Sequence, residues 1–291
     1  MADIQAFYDP QTATVTYLVS DPTTKAAAII DPVLDFEPKT ARLSTGSVDA
    51  VLRAATERGF SVIWVLETHA HADHLSAADH VRRVTGARIG IGARITEVQQ
   101  AFRGLFNAAD VAPDGIAFDA LFEDGAHFKI GALEARVIHT PGHTPACVTY
   151  VVGDAAFIGD TMFMPDYGTA RADFPGGDAA ALYRSIRRIL GLPAGTRIFV
   201  GHDYQPEGRT EPAWESTVAD QRAYNVHVHD GVSEAEFTAM RRARDATLAP
   251  PVLILPALQV NIRAGALPPP EDDGHTYLKL PVNRLGVSAV Q

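Results

Sequence analysis

Thr68-His69-Ala70-His71-Ala72-Asp73-His74-Leu75 decides how this chain is read. Three histidines and an aspartate crowd into residues 69–74. They directly follow an apolar run, Val62-Ile63-Trp64-Val65-Leu66, which Gly59 bounds and which has the character of a buried strand. A first-row metal takes imidazole nitrogen and carboxylate oxygen at about 2.0–2.2 Å, and a loop anchored on a strand end can aim alternate side chains at one point. An isolated His-x-His pair is as well explained by a histidine-rich surface loop; adding Asp73 and His74 at a buried strand end favours a metal site.

The same grammar, a buried strand and then a ligand-type residue, recurs along the chain. Leu133 to His139 alternates and leads into Thr140-Pro141-Gly142-His143-Thr144-Pro145. Ala155 to Ile158 leads into Gly159-Asp160-Thr161, and Arg197 to Val200 into Gly201-His202-Asp203-Tyr204. In order and approximate spacing this set resembles the metallo-β-lactamase superfamily. Within that superfamily the chain is most similar to the persulfide dioxygenases. The likeness is carried by Glu67 to His74, by Pro141-Gly142-His143-Thr144 and by Gly168-Thr169-Ala170-Arg171-Ala172-Asp173-Phe174, and it covers Ala13 to Asn225.

The resemblance implies an α/β fold, the αββα four-layer sandwich, with a catalytic domain over residues 1–230 and a C-terminal helix and proline-rich extension over 231–291 packed on it. It maps His69, His143 and Asp160 onto the ligands of one iron(II) per chain. Two imidazoles and a carboxylate on one face of the ion leave open positions opposite for oxygen and a substrate sulfur. The implied reaction converts glutathione persulfide, O2 and water into glutathione and sulfite. His71, Asp73, His74 and His202 then either orient the iron ligands through hydrogen bonds or complete a second metal position, with Asp160 as the bridge. The second arrangement belongs to the rival reading, a zinc-dependent hydroxyacylglutathione hydrolase that cleaves a glutathione thioester. That branch carries a Gly-Arg-Phe-Phe-type segment where this chain has Ala170 to Phe174.

For the substrate, Arg171 is suited to bidentate pairing with a glutathione carboxylate; its alternative is an ion pair with Asp166 or Asp173. Tyr204, beside His202, is placed to hydrogen-bond the substrate or a ligand, and joins His69, His143 and Asp160 in the expected catalytic set.

Composition bounds the rest. The 291 residues are 46% hydrophobic, enough for a sizeable core. A formal net charge of -10 argues against nucleic acid and against an anionic membrane face. An anionic small molecule can still bind where Arg171 or Arg209 outweighs that field at short range. The single cysteine, Cys147, excludes an intramolecular disulfide, and its apolar setting between Ala146 and Tyr150 reads as a small buried hydrophobe. There is no long apolar run for a membrane span and no signal-peptide pattern at Met1 to Gln5, so the expected compartment is the cytoplasm. The apolar, proline-rich tail leaves a homodimer open.

Local signals predict a hairpin of Thr14 to Val19 with Ala26 to Ile30, and a helix capped by Ser47 and ending near Arg58. Further helices are expected over Ser76 to Thr85 and Thr96 to Phe106, between Asp178 and Gly191, and after a Ser233-x-x-Glu236 capping box. Residues 107–125 read as loop. Arg184, Arg187 and Arg188 read as a solvated helix face, and His80, His227, His229 and His275 as surface or packing residues.

Overall fold

Strands that are apolar on both faces need cover on both sides, and this chain supplies it in layers. The computed structural model describes residues 1–284; positions 285–291 of the expected extension lie outside the described residues. The chain begins β1 (Asp3–Asp9), β2 (Thr14–Ser20), β3 (Ala26–Ile30), β4 (Val33–Glu37), β5 (Arg42–Ser44), α1 (Gly46–Glu57) and β6 (Ser61–Leu66). It continues with β7 (Leu75–Ser76), α2 (Ala78–Thr85), β8 (Arg88–Gly92), α3 (Ile95–Leu105), β9 (Ala120–Phe122), β10 (His127–Ile130) and β11 (Leu133–His139). Next come β12 (Val148–Val152), β13 (Ala155–Phe157), α4 (Ala179–Ile189), β14 (Arg197–Phe199), β15 (Glu215–Thr217) and α5 (Val218–Tyr224). Helices α6 (Glu234–Asp245) and α7 (Ile254–Asn261) follow.

Two six-stranded sheets result, ordered β1-β2-β3-β6-β8-β9 and β10-β11-β12-β13-β14-β15, with a small β5-β4-β7 sheet beside them. Period-two alternation sends successive residues of one strand to different cores. Ala28 and Ile30 of β3, with Trp64 and Leu66 of β6, meet Tyr17, Tyr150, Phe157 and Phe199 between the sheets. Their neighbours Ala27, Ile29 and Val65, with Val62 brought to the same side by a register shift opposite Ala27 and Ala28, face outward and are covered by Val48 and Val51 of α1, Val81 of α2 and Val98 and Phe102 of α3. On the second sheet Ala156 and Ile198 face outward onto Leu182, Ile186 and Ile189 of α4 and Phe237 of α6. Helix, sheet, sheet, helix is the four-layer sandwich that the motifs imply.

The caps follow side-chain chemistry, with two departures from the sequence reading. Asp178 accepts from the Ala181 N–H at 2.6 Å to open α4. Ser233 and Glu236 form the reciprocal capping box of α6. Helix α1, however, starts at Gly46 with Thr45 at the cap position, because the Ser47 N–H donates to Asp35 Oδ2 on β4 at 3.1 Å. Ser76 is likewise drawn out of α2 into β7, where it pairs with Val33. The 107–125 loop holds a strand, β9, which adds in parallel to β8.

In the tail, Pro256 falls in the first turn of α7, where the missing N–H removes no helical bond, so a short helix forms among the prolines. Ala257, Leu258, Val260 and Ile262 enter the core outside the first sheet. Arg184, Arg187 and Arg188 point outward and pair with Glu234, Asp230 and Asp124. Among the described residues no helix is long and apolar enough to cross a membrane. Replacing Ser233 by Ala removes one half of the capping box and is expected to cost about 1 kcal/mol, seen as a lower urea midpoint with unchanged metal content.

Candidate metal centre

Four strand ends converge at one rim of the sandwich. His69 and His71 follow β6, His143 follows β11, Asp160 follows β13 and His202 follows β14. Cross-links between the sheets hold these ends together: Val15 N–H donates to Gly201 O at 2.8 Å, Asp203 N–H to Ala13 O at 2.9 Å, and Val148 N–H to Thr68 O at 2.9 Å.

All of the expected ligands except Asp73 are buried. Asp160 Oδ2 lies 3.8 Å from His69 Nε2 and 3.8 Å from His143 Nε2. Its Oδ1 lies 3.4 Å from His202 Nε2, which is 3.2 Å from Asp73 Oδ2. Two groups with ligand atoms within 4.8 Å of one another therefore share Asp160: His69, His143 and Asp160, and His71, Asp73, Asp160 and His202. His74 falls outside both groups, although it is buried on the same loop and lines the same cavity.

The donor set fits a metal ion. His69 Nε2, His71 Nδ1, His74 Nε2, His202 Nε2, Asp73 Oδ2 and Asp160 Oδ1 are buried without a hydrogen-bond partner, a costly state for polar atoms unless a cation draws on their lone pairs. Backbone carbonyls set the tautomers. His143 Nδ1 donates to Arg171 O at 2.8 Å and His74 Nδ1 to Leu75 O at 3.0 Å, so each Nε2 carries the free lone pair. Burial, and then the neighbouring imidazoles, hold His69 well below the usual histidine range, which keeps it in the neutral, ligating form. Burial also pushes Asp160 well above the carboxylate range, a shift that a bound cation would reverse.

Behind His71 lies a carboxylate pair, Asp31 and Glu67. Asp31 Oδ1 is 3.1 Å from His71 Nε2 and accepts from the Thr68 N–H at 2.7 Å, while the Thr68 hydroxyl donates to Asp31 Oδ2 at 2.8 Å. Burial raises Asp31 to about 6, and Glu67 accepts from the Ser76 hydroxyl. Neither carboxylate was given a role from the sequence, although Glu67 opens the segment that carries the family likeness; their signal was position alone, each directly after a strand. Two glycines make room at the centre, one for Thr68 and one for Asp160. A Cβ on Gly159, at φ +50°, would stand 2.4 Å from Thr68 Oγ1, and one on Gly201 would stand 2.6 Å from Asp160 Oδ1.

The segment carrying Arg171 is strapped down by α6. Arg241 and Asp245, both buried, pair at 2.7 Å; Arg241 donates to Thr169 O at 3.2 Å and Asp245 accepts from the Ala172 N–H at 2.9 Å. His227 Nδ1 accepts from the Thr169 N–H at 3.1 Å. No motif of the sequence marks Arg241 or Asp245; His227 reads there as a surface or packing residue, and it packs against this segment. The Arg171 guanidinium pairs bidentately with Asp173 at 2.6 and 2.7 Å and donates to Ala249 O. Arg209 is likewise paired, with Asp166 and Asp203. Tyr204 stacks on His202 with ring centroids 5.4 Å apart.

A cavity of about 490 Å³ opens on the centre. His143, Asp160, Asp73 and His74 form its floor; Leu34, Phe36, Leu248 and Leu253 give it apolar walls; Arg171, Arg244, Tyr167 and Tyr204 supply polar groups. Arg244 is exposed and has no carboxylate partner among the described residues.

The Metallo-beta-lactamase superfamily model matches residues 9–202, and the chain belongs to that family. A probable metallo-hydrolase of Burkholderia pseudomallei is 53% identical over 97% of this chain and 99% of its own length. A beta-lactamase hydrolase-like protein of Agrobacterium fabrum is 55% identical over 97% of this chain, which spans only 65% of that relative. The human mitochondrial persulfide dioxygenase ETHE1 is 31% identical over 91% of this chain and 90% of its own length. A crystal structure of ETHE1 from Myxococcus xanthus superposes with a TM-score of 0.72 at 30% identity, covering 91% of this chain and all of that one.

Gly201→Ala drives a methyl group into Asp160 and is expected to lower bound metal at least tenfold at limiting ion, read by elemental analysis against a fold checked by circular dichroism. Burial pushes the Cys147 thiol up to about 12, so it stays protonated across the working pH range. It is expected to resist a disulfide-exchange reagent in the native protein and to react stoichiometrically in denaturant.

Proposed function

We propose that this chain is an iron(II)-dependent persulfide dioxygenase acting on glutathione persulfide. The observation that carries the reading is the His69, His143 and Asp160 group, two imidazoles and one carboxylate, of which His143 and Asp160 line the floor of a cavity with apolar walls. The likeness to ETHE1 supports it. Iron(II) held there would supply a redox-active ion with open coordination positions, the reactivity that dioxygen requires.

The chain's own residues do the rest. His143 and His69 keep their lone pairs toward Asp160 because their other ring nitrogens engage Arg171 O and Thr68 Oγ1. Leu34, Phe36 and Leu253 exclude water from the persulfide sulfurs. The substrate carboxylates meet Arg171 and Arg244, with Arg171 sharing its guanidinium between the substrate and Asp173. Tyr204, whose ring is fixed on His202, offers a hydroxyl to the substrate. In the overall conversion the terminal sulfur takes both atoms of dioxygen and one oxygen from water, and the sulfur–sulfur bond breaks to release the thiol.

A second reading has a specific observation behind it. His71, Asp73 and His202 share Asp160 with the first group, the layout of a two-metal hydrolase, and relatives above 50% identity bear hydrolase names. Zinc at both positions would generate a hydroxide nucleophile for a glutathione thioester.

Anaerobically iron-loaded protein should consume O2 on addition of glutathione persulfide and form sulfite in equal amount, with one iron per chain and no hydrolysis of S-lactoylglutathione. His143→Ala should abolish uptake. Thioester hydrolysis by a protein holding two metals, with no oxygen uptake, would establish the second reading. Arg171→Ala should raise the apparent KM for the persulfide at least severalfold and leave kcat little changed; an unchanged KM removes Arg171 from substrate binding.

A further inference from the structure

The metal loop between His69 and Leu75 has no helix and little strand of its own, so something outside it must fix its backbone. Carbonyls in such a loop need partners when buried. Those of His71 and His74 find none among neighbouring backbone N–H groups. Both are taken by Asn261, the last residue of α7, whose Nδ2 donates to His71 O at 2.8 Å and to His74 O at 2.8 Å. The same side chain accepts from the Ser76 N–H through Oδ1 at 2.8 Å. Asn261 is 4% exposed, and one amide thus holds three points of the loop across 185–190 residues of sequence.

We propose that Asn261 is a positioning residue of the metal centre, setting from outside the bite of the His71, Asp73 and His202 side. Both amide hydrogens are committed to carbonyls that flank Asp73, so the turn presenting Asp73 and the direction of the His71 ring follow from where α7 places this side chain. Helix α7 is in turn fixed by Leu258 and Val260 in the core outside the first sheet. Close contact continues past the helix end, where a Cβ on Gly265 would stand 2.9 Å from Ser76 O and 2.9 Å from Asp79 N. Asn261 touches none of His69, His143 and Asp160, so its influence falls on one side of the shared carboxylate. The inference rests on the metal reading of the site and is independent of which reaction the centre performs.

The test is a cobalt(II) titration of the metal-free full chain, following the ligand-field absorption of the bound ion, with no turnover required. Asn261→Asp keeps the size of the side chain but turns an acceptor toward two carbonyls. It should weaken cobalt binding about 10- to 100-fold and alter the absorption envelope, as loss of an outer hydrogen bond to a ligand does. Gln259→Ala is the control for a role in the fold alone. Gln259 is equally buried on α7 and bonds Leu255 and Lys279 without touching the metal loop. It should lower the urea midpoint and leave cobalt affinity and spectrum as in the wild type. If Asn261→Asp does not fold, Asn261→Ser, which retains one donor, is read in the same way. Wild-type affinity and spectrum in the Asn261 variant that folds, or an equal loss in Gln259→Ala, overturns the proposal. A wild-type chain that takes up no cobalt overturns it together with the metal reading.

Discussion

The site depends on one carboxylate. Asp160 sends one oxygen toward His69 and His143 and the other toward His202, so every ligand geometry in the centre is measured from it. Burial pushes this carboxylate toward its protonated form and the His69 ring toward its neutral one. A cation resolves both tendencies, because it favours the anionic carboxylate and binds the neutral ring. Gly201 leaves no atom where a methyl group would displace Asp160, and Gly159 none where one would displace Thr68.

The three hydrophobic cores explain why the ligands can be this crowded. The strands are anchored in these cores, and each metal-ligand candidate follows one of them by only a few positions. Rigid bases allow polar atoms to be held near one another without collapsing into hydrogen bonds among themselves; the close His202 and Asp73 contact is not aligned as one. The enclosing elements then act on ligands indirectly. Helix α6 fixes the segment whose Arg171 carbonyl orients His143, and α7 fixes the loop that bears His71.

Much of this was legible in the sequence where chemistry and periodicity coincided. His69 to His74, His143, Asp160 and His202 stood out because ligand-type residues followed apolar runs, and Asp178 and Ser233 because a capping side chain preceded an amphipathic stripe. What escaped was set by distant partners. Strand β1, half-buried along its length, shows no clean alternation, and β9 lies in a stretch rich in turn residues. Ser47 and Ser76 have good capping chemistry, but β4 competes for both. The burial of Arg241 and Asp245 could not be read from a spacing typical of exposed pairs. Asn261 sits among prolines in the tail, and nothing nearby announces that its amide belongs to a loop far back in the chain.

The position of those partners bears on how the molecule assembles. The strand hydrogen bonds within each sheet join residues close in sequence for the most part. The ligand set, by contrast, is closed by pairings such as Thr14 with His202 and His71 with Asn261, separated by 188 and 190 residues. Loop-closure entropy makes such contacts the last to repay their cost, so the sheets are expected to form before the cradle does. A metal ion arriving early meets scattered histidines, and only the nearly finished fold offers it a site.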